Sequence, residues 1–237
     1  MPPFLALFAL VLFVTVGVQP SVVSAQAYPG APVSLWPHPT TVSFGSVAVS
    51  LDPATFRITP SPLNPPSALL GRAMTRYQST IFSAALPVKG NTSATTPAAG
   101  LKMLTSLEVR ILSNDENLRL GVDESYNLTV AGETGALIVA QTVFGAIYAI
   151  ETFTQLVVKP RGEDGYVLQG TPVIVVDRPR FGWRGILHDT ARHYYPVDFI
   201  LHTIEALAAN KMNVFQYGST LLFIYDVITP PPPPRRN

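Results

Sequence analysis

Between Thr40 and Val176 the apolar residues take a helical period only twice, and this limits the fold more than any other feature. Within Ser67–Ala84, Leu70, Met74, Tyr77 and Ile81 recur at spacings of three and four, on one face of a helix. Within Gln141–Val158, Phe144, Ile147, Tyr148, Ile150 and Leu156 make a strongly apolar helix that Gly145 and Ala146 allow to pack closely. The rest reads as strands. Val42, Phe44, Val47 and Val49 suggest one broken near Gly45, and Phe56 and Ile58 a second. Leu104–Leu112, Glu124–Val130 and Ala136–Thr142 add three more, and Tyr166–Leu168 and Val173–Val176 are short and apolar. Many strands with two helices predict an α+β fold, an antiparallel sheet with both helices on one face, and not a doubly wound parallel sheet.

The composition shifts near Asp177, where Arg178, Arg180, Arg184 and Arg192 crowd together with Phe181, Trp183, Tyr194 and Tyr195. Arg184–Thr190 reads as a strand. Pro196 suits the first turn of a helix whose face carries Val197, Ile200, Ile204 and Leu207. Met212–Phe215 then reads as a second strand, so the order is that of a βαβ unit. Pro230–Pro234 with Arg235 and Arg236 form a polyproline tail. The expected organisation is 1–27 signal peptide, 28–178 α+β domain, 179–215 βαβ unit and 216–237 tail.

Several classes are excluded. Sixteen Lys+Arg against 15 Asp+Glu leave a net charge of +1, without the basic excess of a nucleic-acid binder. With 47% hydrophobic and 13% charged residues the chain is not of the disordered class. Zero Cys removes disulfide scaffolds, zinc ribbons and thiol nucleophiles. The first charge is Asp52, and the apolar run Phe4–Val18 ends before Pro20, short of a stable membrane span. Small residues at Val23-Ser24-Ala25 and Ala25-Gln26-Ala27 fit a secretory signal cleaved after Ala25 or Ala27; a retained anchor and a core segment are the other readings. Asn91-Thr92-Ser93 and Asn127-Leu128-Thr129 are glycosylation sequons, at Asn91 and Asn127. The expected destination is the secretory pathway, then the exterior or a lysosome- or vacuole-like compartment.

The run Asp177-Arg178-Pro179-Arg180-Phe181-Gly182-Trp183-Arg184-Gly185-Ile186-Leu187-His188-Asp189-Thr190-Ala191-Arg192-His193-Tyr194-Tyr195-Pro196, continued by Ala209–Phe215, resembles the start of the barrel in β-N-acetylhexosaminidases of glycoside hydrolase family 20. Leu35-Trp36-Pro37, Glu124–Leu128 and Thr142–Leu156 are similar to that family's N-terminal domain. The resemblance implies an α+β domain followed by a (β/α)8 barrel, here incomplete. It implies removal of terminal N-acetylglucosamine or N-acetylgalactosamine from glycans, with retention, by attack of the substrate's own acetamido oxygen. An Asp would orient that group and a Glu would protonate the leaving oxygen, with no metal and no cofactor. A homo- or hetero-dimer is left open.

On the same resemblance Arg184 binds the hydroxyls of the terminal sugar, a task its planar fork suits. Read without the family, Arg184 is a salt-bridged strand-end arginine, and barrel sites lie at the opposite, C-terminal ends of the strands. Asp189 and His193 either support the pocket or, for Asp189, cap nearby backbone groups. His188 and His193 lack a third metal ligand at usable spacing.

After Phe215 the resemblance stops. Gln216-Tyr217-Gly218 replaces the family's His-Trp-His, and the Asp–Glu pair of the fourth barrel strand has no counterpart. The adjacent pairs Asp115-Glu116 and Asp123-Glu124 are expected to be solvated surface. Val214, Phe215, Leu221, Leu222, Phe223 and Ile224 are expected to form an exposed apolar patch. The chain therefore reads as a truncated secreted hexosaminidase, inactive as written. The alternative is a non-catalytic interaction module derived from the N-terminal domain.

Overall fold

The computed structural model describes residues 33–85, 87–88, 100–160 and 165–218. The N-terminal apolar run, the Asn91 sequon and the polyproline tail lie outside the described residues. The elements are β1 (Thr41–Leu51), β2 (Arg57–Pro60), α1 (Ala68–Ser83), β3 (Pro87–Val88), β4 (Ser106–Ile111), β5 (Tyr126–Val130), β6 (Ala136–Ala140), α2 (Val143–Leu156), β7 (Val157–Pro160), β8 (Tyr166–Asp177), β9 (Gly185–His188), α3 (Val197–Ala209) and β10 (Val214–Tyr217).

Both early helices form where the apolar period places them. Ser67 caps α1 by accepting from the Leu70 N–H at 3.0 Å, and Leu70, Ala73, Tyr77 and Ile81 turn inward. Twelve of the fourteen residues of α2 are buried, because the sheet, α1 and the second unit surround it. Phe153 of α2 stacks on Phe56 at 5.7 Å between ring centres. Each fully buried side chain of this size contributes about 1.5–3 kcal/mol.

The sheet runs β2-β4-β6-β5-β8-β7-β3, with β1 also paired to β8. It is mixed, which corrects the expectation of an antiparallel sheet: β2–β4, β4–β6 and β3–β7 are parallel. Alternation reports which face a residue occupies and is blind to strand direction. Here α1 supplies the crossover that parallel neighbours β2 and β4 require. The two short strands expected near 166–176 are one, β8, which stays continuous past Gly170 and Pro172 because β1 bulges opposite. A Cβ on Gly45 would sit 2.4 Å from the Thr171 carbonyl oxygen, so only glycine permits that approach. β7 follows α2 directly, where the apolar run alone suggested more helix.

β9, α3 and β10 form the expected strand–helix–strand unit, with β9 and β10 parallel. Leu207 and Phe215 are its buried centre, with Ile186, Ile200, Ile204 and Met212 against them. Two expectations are corrected here. β10 runs on through Gln216 and Tyr217, so the strand does not end at Phe215. Val214 and Phe215 are buried, Phe215 against Leu207 of α3 and Ile186 of β9, instead of lying in an exposed patch, and residues 221–224 lie outside the described residues. Among the described residues no helix is long and apolar enough to cross a membrane.

Candidate functional site

The polar groups of the molecule concentrate where α2 and the start of β5 meet the second unit. Arg184, just ahead of β9, points back into the first domain. Its Nη1 donates to Glu124 Oε2 and its Nη2 to Glu124 Oε1, both at 2.9 Å, a two-pronged ion pair. Nη1 also donates to the Phe181 carbonyl at 2.7 Å, Nη2 to Tyr148 Oη at 3.1 Å, and Nε to the Lys211 carbonyl at 2.8 Å. An arginine side chain has five N–H donors, and all five are taken. Burial alone would lower its pKa; the Glu124 carboxylate outweighs that and the net shift is upward.

This geometry gives Arg184, expected from the resemblance to bind the sugar, a set of partners within the protein. It stands at the N-terminal end of its strand, its donors are spent on protein oxygens, and it holds two structural units together. The expectation for Glu124 is corrected, since it is buried and not solvated. Its neighbour Asp123 is exposed and caps the Ser125 N–H at 2.9 Å. Asp115 pairs with Arg119, and Glu116 accepts from Ser67 at the head of α1. A signal for Glu124 was present in the sequence. Glu124, Tyr126, Leu128 and Val130 occupy alternate positions, and all four face inward.

Lys211 is the second anchor. It follows α3 with a φ of 54°, a left-handed conformation uncommon outside glycine. Its ammonium donates to Thr152 Oγ1 at 2.6 Å and Tyr126 Oη at 2.9 Å, with Asp177 Oδ2 at 3.6 Å. Burial pushes its pKa down to about 8, against the pull of Asp177 and Glu151. Burial likewise holds Tyr126, Tyr148 and Tyr77 neutral far above the usual phenol range. Glu151, which accepts from Tyr77 at 2.8 Å, is raised by burial. Asn213 completes the seam by accepting from the Arg184 N–H at 3.0 Å and donating to the Gly182 carbonyl at 2.9 Å. Trp36 spans the same seam, donating from its ring nitrogen to Asn210 Oδ1 at 2.7 Å. No periodicity marks Lys211 for this role.

A cleft of about 830 Å³ opens beside the seam, walled by Pro37, His38, Arg178, Arg180 and Phe181. The chemistry of the seam is positioning, because its donors and acceptors are matched to one another.

The other end of the unit is different. Asp189 follows β9 and accepts the N–H groups of Ala191 and Arg192, both at 3.2 Å. It also accepts from Arg192 Nε, and that bond holds the Asp189 carboxyl below its ordinary range. Among the described residues the two terminal nitrogens of Arg192 have no partner, and its side chain is 82% exposed. His193 donates its backbone N–H to the Asp189 carbonyl at 3.3 Å and exposes its ring. Sequence reasoning passed over Arg192, although its place just after a strand marks the C-terminal, ligand-facing side of a barrel. Inside the unit His188 stacks against both Tyr195 and Phe199, at 5.0 and 5.6 Å, and meets Phe215 edge-on at 5.2 Å. Asn127 lies on the outer face of β5 and is exposed.

Comparison with known proteins matches two segments of the chain. The family model described as "beta-acetyl hexosaminidase like" matches residues 35–156, more than half of the chain. The model of the glycosyl hydrolase family 20 catalytic domain matches residues 181–220, and so reaches beyond Phe215. A β-hexosaminidase 1 of Arabidopsis thaliana is 36% identical over 218 residues, covering 88% of this chain and 39% of that protein. The β-hexosaminidase subunit beta of Homo sapiens is 36% identical over 201 residues, covering 82% of this chain and 34% of that subunit. The chain thus spans between a third and two fifths of the length of these relatives. The chitobiase structure of Flavobacterium johnsoniae superposes with a TM-score of 0.61 at 27% identity, covering 78% of this chain and 27% of that one.

Proposed function

Because the chain belongs to the glycoside hydrolase family 20 β-hexosaminidases, we propose that it serves a protein that removes terminal N-acetylglucosamine or N-acetylgalactosamine from glycans. The observation that carries this reading is the two-unit arrangement itself, in which the family's N-terminal domain clamps the first strand–helix–strand unit of its catalytic domain through Glu124–Arg184. Retention through the substrate's acetamido oxygen accords with the family mechanism. In that reaction the seam fixes the orientation of β9, and β9 in turn aims the residues just beyond its C-terminal end.

On this reading Arg192, not Arg184, is the arginine offered to the sugar. Asp189 holds its Nε and leaves both terminal nitrogens to donate to neighbouring hydroxyls. The chain's two adjacent carboxylate pairs support no acid–base role. Glu124 is consumed by Arg184, Glu116 caps α1, and Asp115 and Asp123 bind loop amides. The N-terminal apolar run and the sequons support entry into the secretory pathway.

The test is hydrolysis of an aryl N-acetyl-β-glucosaminide by the protein purified from its source, with Arg192→Lys and Arg184→Lys compared. Arg192→Lys is expected to raise KM about 10–100-fold, the worth of charge-assisted hydrogen bonds, with thermal stability unchanged. Arg184→Lys is expected to lower stability first. No hydrolysis by the purified protein would sink the activity. A KM defect in Arg184→Lys at unchanged stability would return the sugar to Arg184.

A further inference from the structure

Among the described residues the helices cover one face of the sheet, and the other face has an unusual centre. β5 is the middle strand there, with β6 on one side and β8 on the other, both antiparallel. Its Tyr126, Leu128 and Val130 point into the core, so Asn127 and Thr129 point outward together. Directly opposite residues share a face. Asn127 faces Val139 and Val176, and Thr129 faces Leu137 and Ile174. Leu137 is 40% exposed, and Ile174 and Val176 are each 47% exposed. Beyond this aliphatic stripe the face turns polar, with Glu108 and Arg110 on β4 and Thr41 and Ser43 on β1. A water-facing stripe of four aliphatic side chains with a polar rim has the form of a contact surface. Its midline is an Asn-Leu-Thr sequon whose amide and hydroxyl emerge side by side.

We propose that Asn127 carries an N-linked glycan whose first sugars lie across Leu137, Val139, Ile174 and Val176 and shield them from water. The inference rests on the secretory reading of the N-terminal run. The donor is a lipid-diphosphate-linked oligosaccharide. The Asn127 amide nitrogen bonds to its anomeric carbon, the carbon–oxygen bond to the diphosphate breaks, the diphosphate leaves with the electron pair, and the nitrogen gives up one proton. In the folded sheet β5 is hydrogen-bonded on both edges, so the reaction precedes the docking of β8, which is synthesised later. Neighbouring strands lie about 4.7–4.9 Å apart, so Val139 and Val176 fall directly beneath the first ring. The non-polar C–H face of a pyranose fits an aliphatic surface, while its hydroxyls stay in water.

The experiment is translation of the full chain with microsomes, scored for protease protection and for the mass of the Asn127 peptide before and after peptide N-glycosidase. Protection with a glycan on Asn127 is expected. Thr129→Ala and Asn127→Gln should both abolish that glycan, and Thr129→Ser should keep it. The two unglycosylated variants should bind several-fold more of an apolar-surface dye and self-associate. Adding Leu137→Thr and Ile174→Thr to Asn127→Gln should reverse both effects. A protected chain bare at Asn127 overturns the inference, as does a glycan whose enzymatic removal leaves dye binding and association unchanged. A chain that is not protected overturns the secretory reading, and the inference with it.

Discussion

Arg184 grips Glu124 through two parallel hydrogen bonds of 2.9 Å each, across 60 positions of sequence and across the boundary between two structural units. A buried ion pair of this kind adds little net stability over a well-packed apolar pair, yet breaking one side of it is costly. Glu124→Ala leaves a mostly buried guanidinium without its counter-charge and is expected to lose about 3–5 kcal/mol in urea unfolding. The double variant Glu124→Leu with Arg184→Met should lose less than Glu124→Ala alone. A double variant at least as unstable as the single one would mean that the pair is not the clamp.

Lys211 makes stability depend on pH in a narrow window. The folded chain releases its proton near pH 8, while an unfolded lysine keeps it to about 10.5. Between those values the unfolded state binds more protons, so stability rises with pH, by at most about 3 kcal/mol. Tyr77, Tyr126 and Tyr148 act in the opposite sense above pH 10, because only the unfolded chain ionises there. Glu151, raised by burial, gives up its contribution at lower pH, as pH climbs through its folded pKa. The expected result is a stability gain between pH 8 and 10 that Lys211→Met removes. Urea midpoints that are flat from pH 7.5 to 9.5 would exclude it.

The sequence reveals elements better than partners. Capping by Ser67 and the inward face of α1 follow from local rules, and α2 declares itself by being apolar on every side. Strand direction does not, because the alternation in β4 and β6 is the same whether they run parallel or antiparallel. At the seam the difficulty was pairing. Arg184 stood out as a residue, but its partner was hidden beside Asp123 in a turn, where two adjacent carboxylates look like solvent-exposed surface. Only the inward phase shared with Tyr126 and Leu128 betrays it. Lys211 carries no such phase, since its burial arises where α3 ends against a different unit.

Glycine positions divide by what surrounds them. A Cβ on Gly145 would lie 2.4 Å from the Ser125 carbonyl oxygen and 3.1 Å from the Glu124 carbonyl, both backbone atoms that cannot swing aside. Gly145→Ala is expected to cost about 1–3 kcal/mol by overpacking, and to displace Glu124 from Arg184. Gly71, at the end of the first turn of α1, has nothing within 4 Å of such a Cβ. Gly71→Ala is expected to stabilise by about 0.5–1 kcal/mol through helix propensity. Thermal melts of the two variants should move in opposite directions, and a common direction would contradict the packing argument.

His188 tests the interior of the second unit. Among the described residues its Nδ1 is buried with no hydrogen-bond partner, inside a box formed by Tyr195, Phe199 and Phe215. An unsatisfied buried polar atom costs about 1–3 kcal/mol, whereas an apolar group of the same shape does not incur that cost. His188→Phe keeps the stacking and removes the orphaned nitrogen, so it is expected to be neutral or to raise Tm by about 2–4 °C per kcal/mol gained. His188→Ala removes the stacking as well and should lower Tm, because a ring pair is worth about 0.5–1.5 kcal/mol beyond its buried area. If His188→Phe lowers Tm as far as His188→Ala does, the nitrogen has a partner, and the box is polar by requirement.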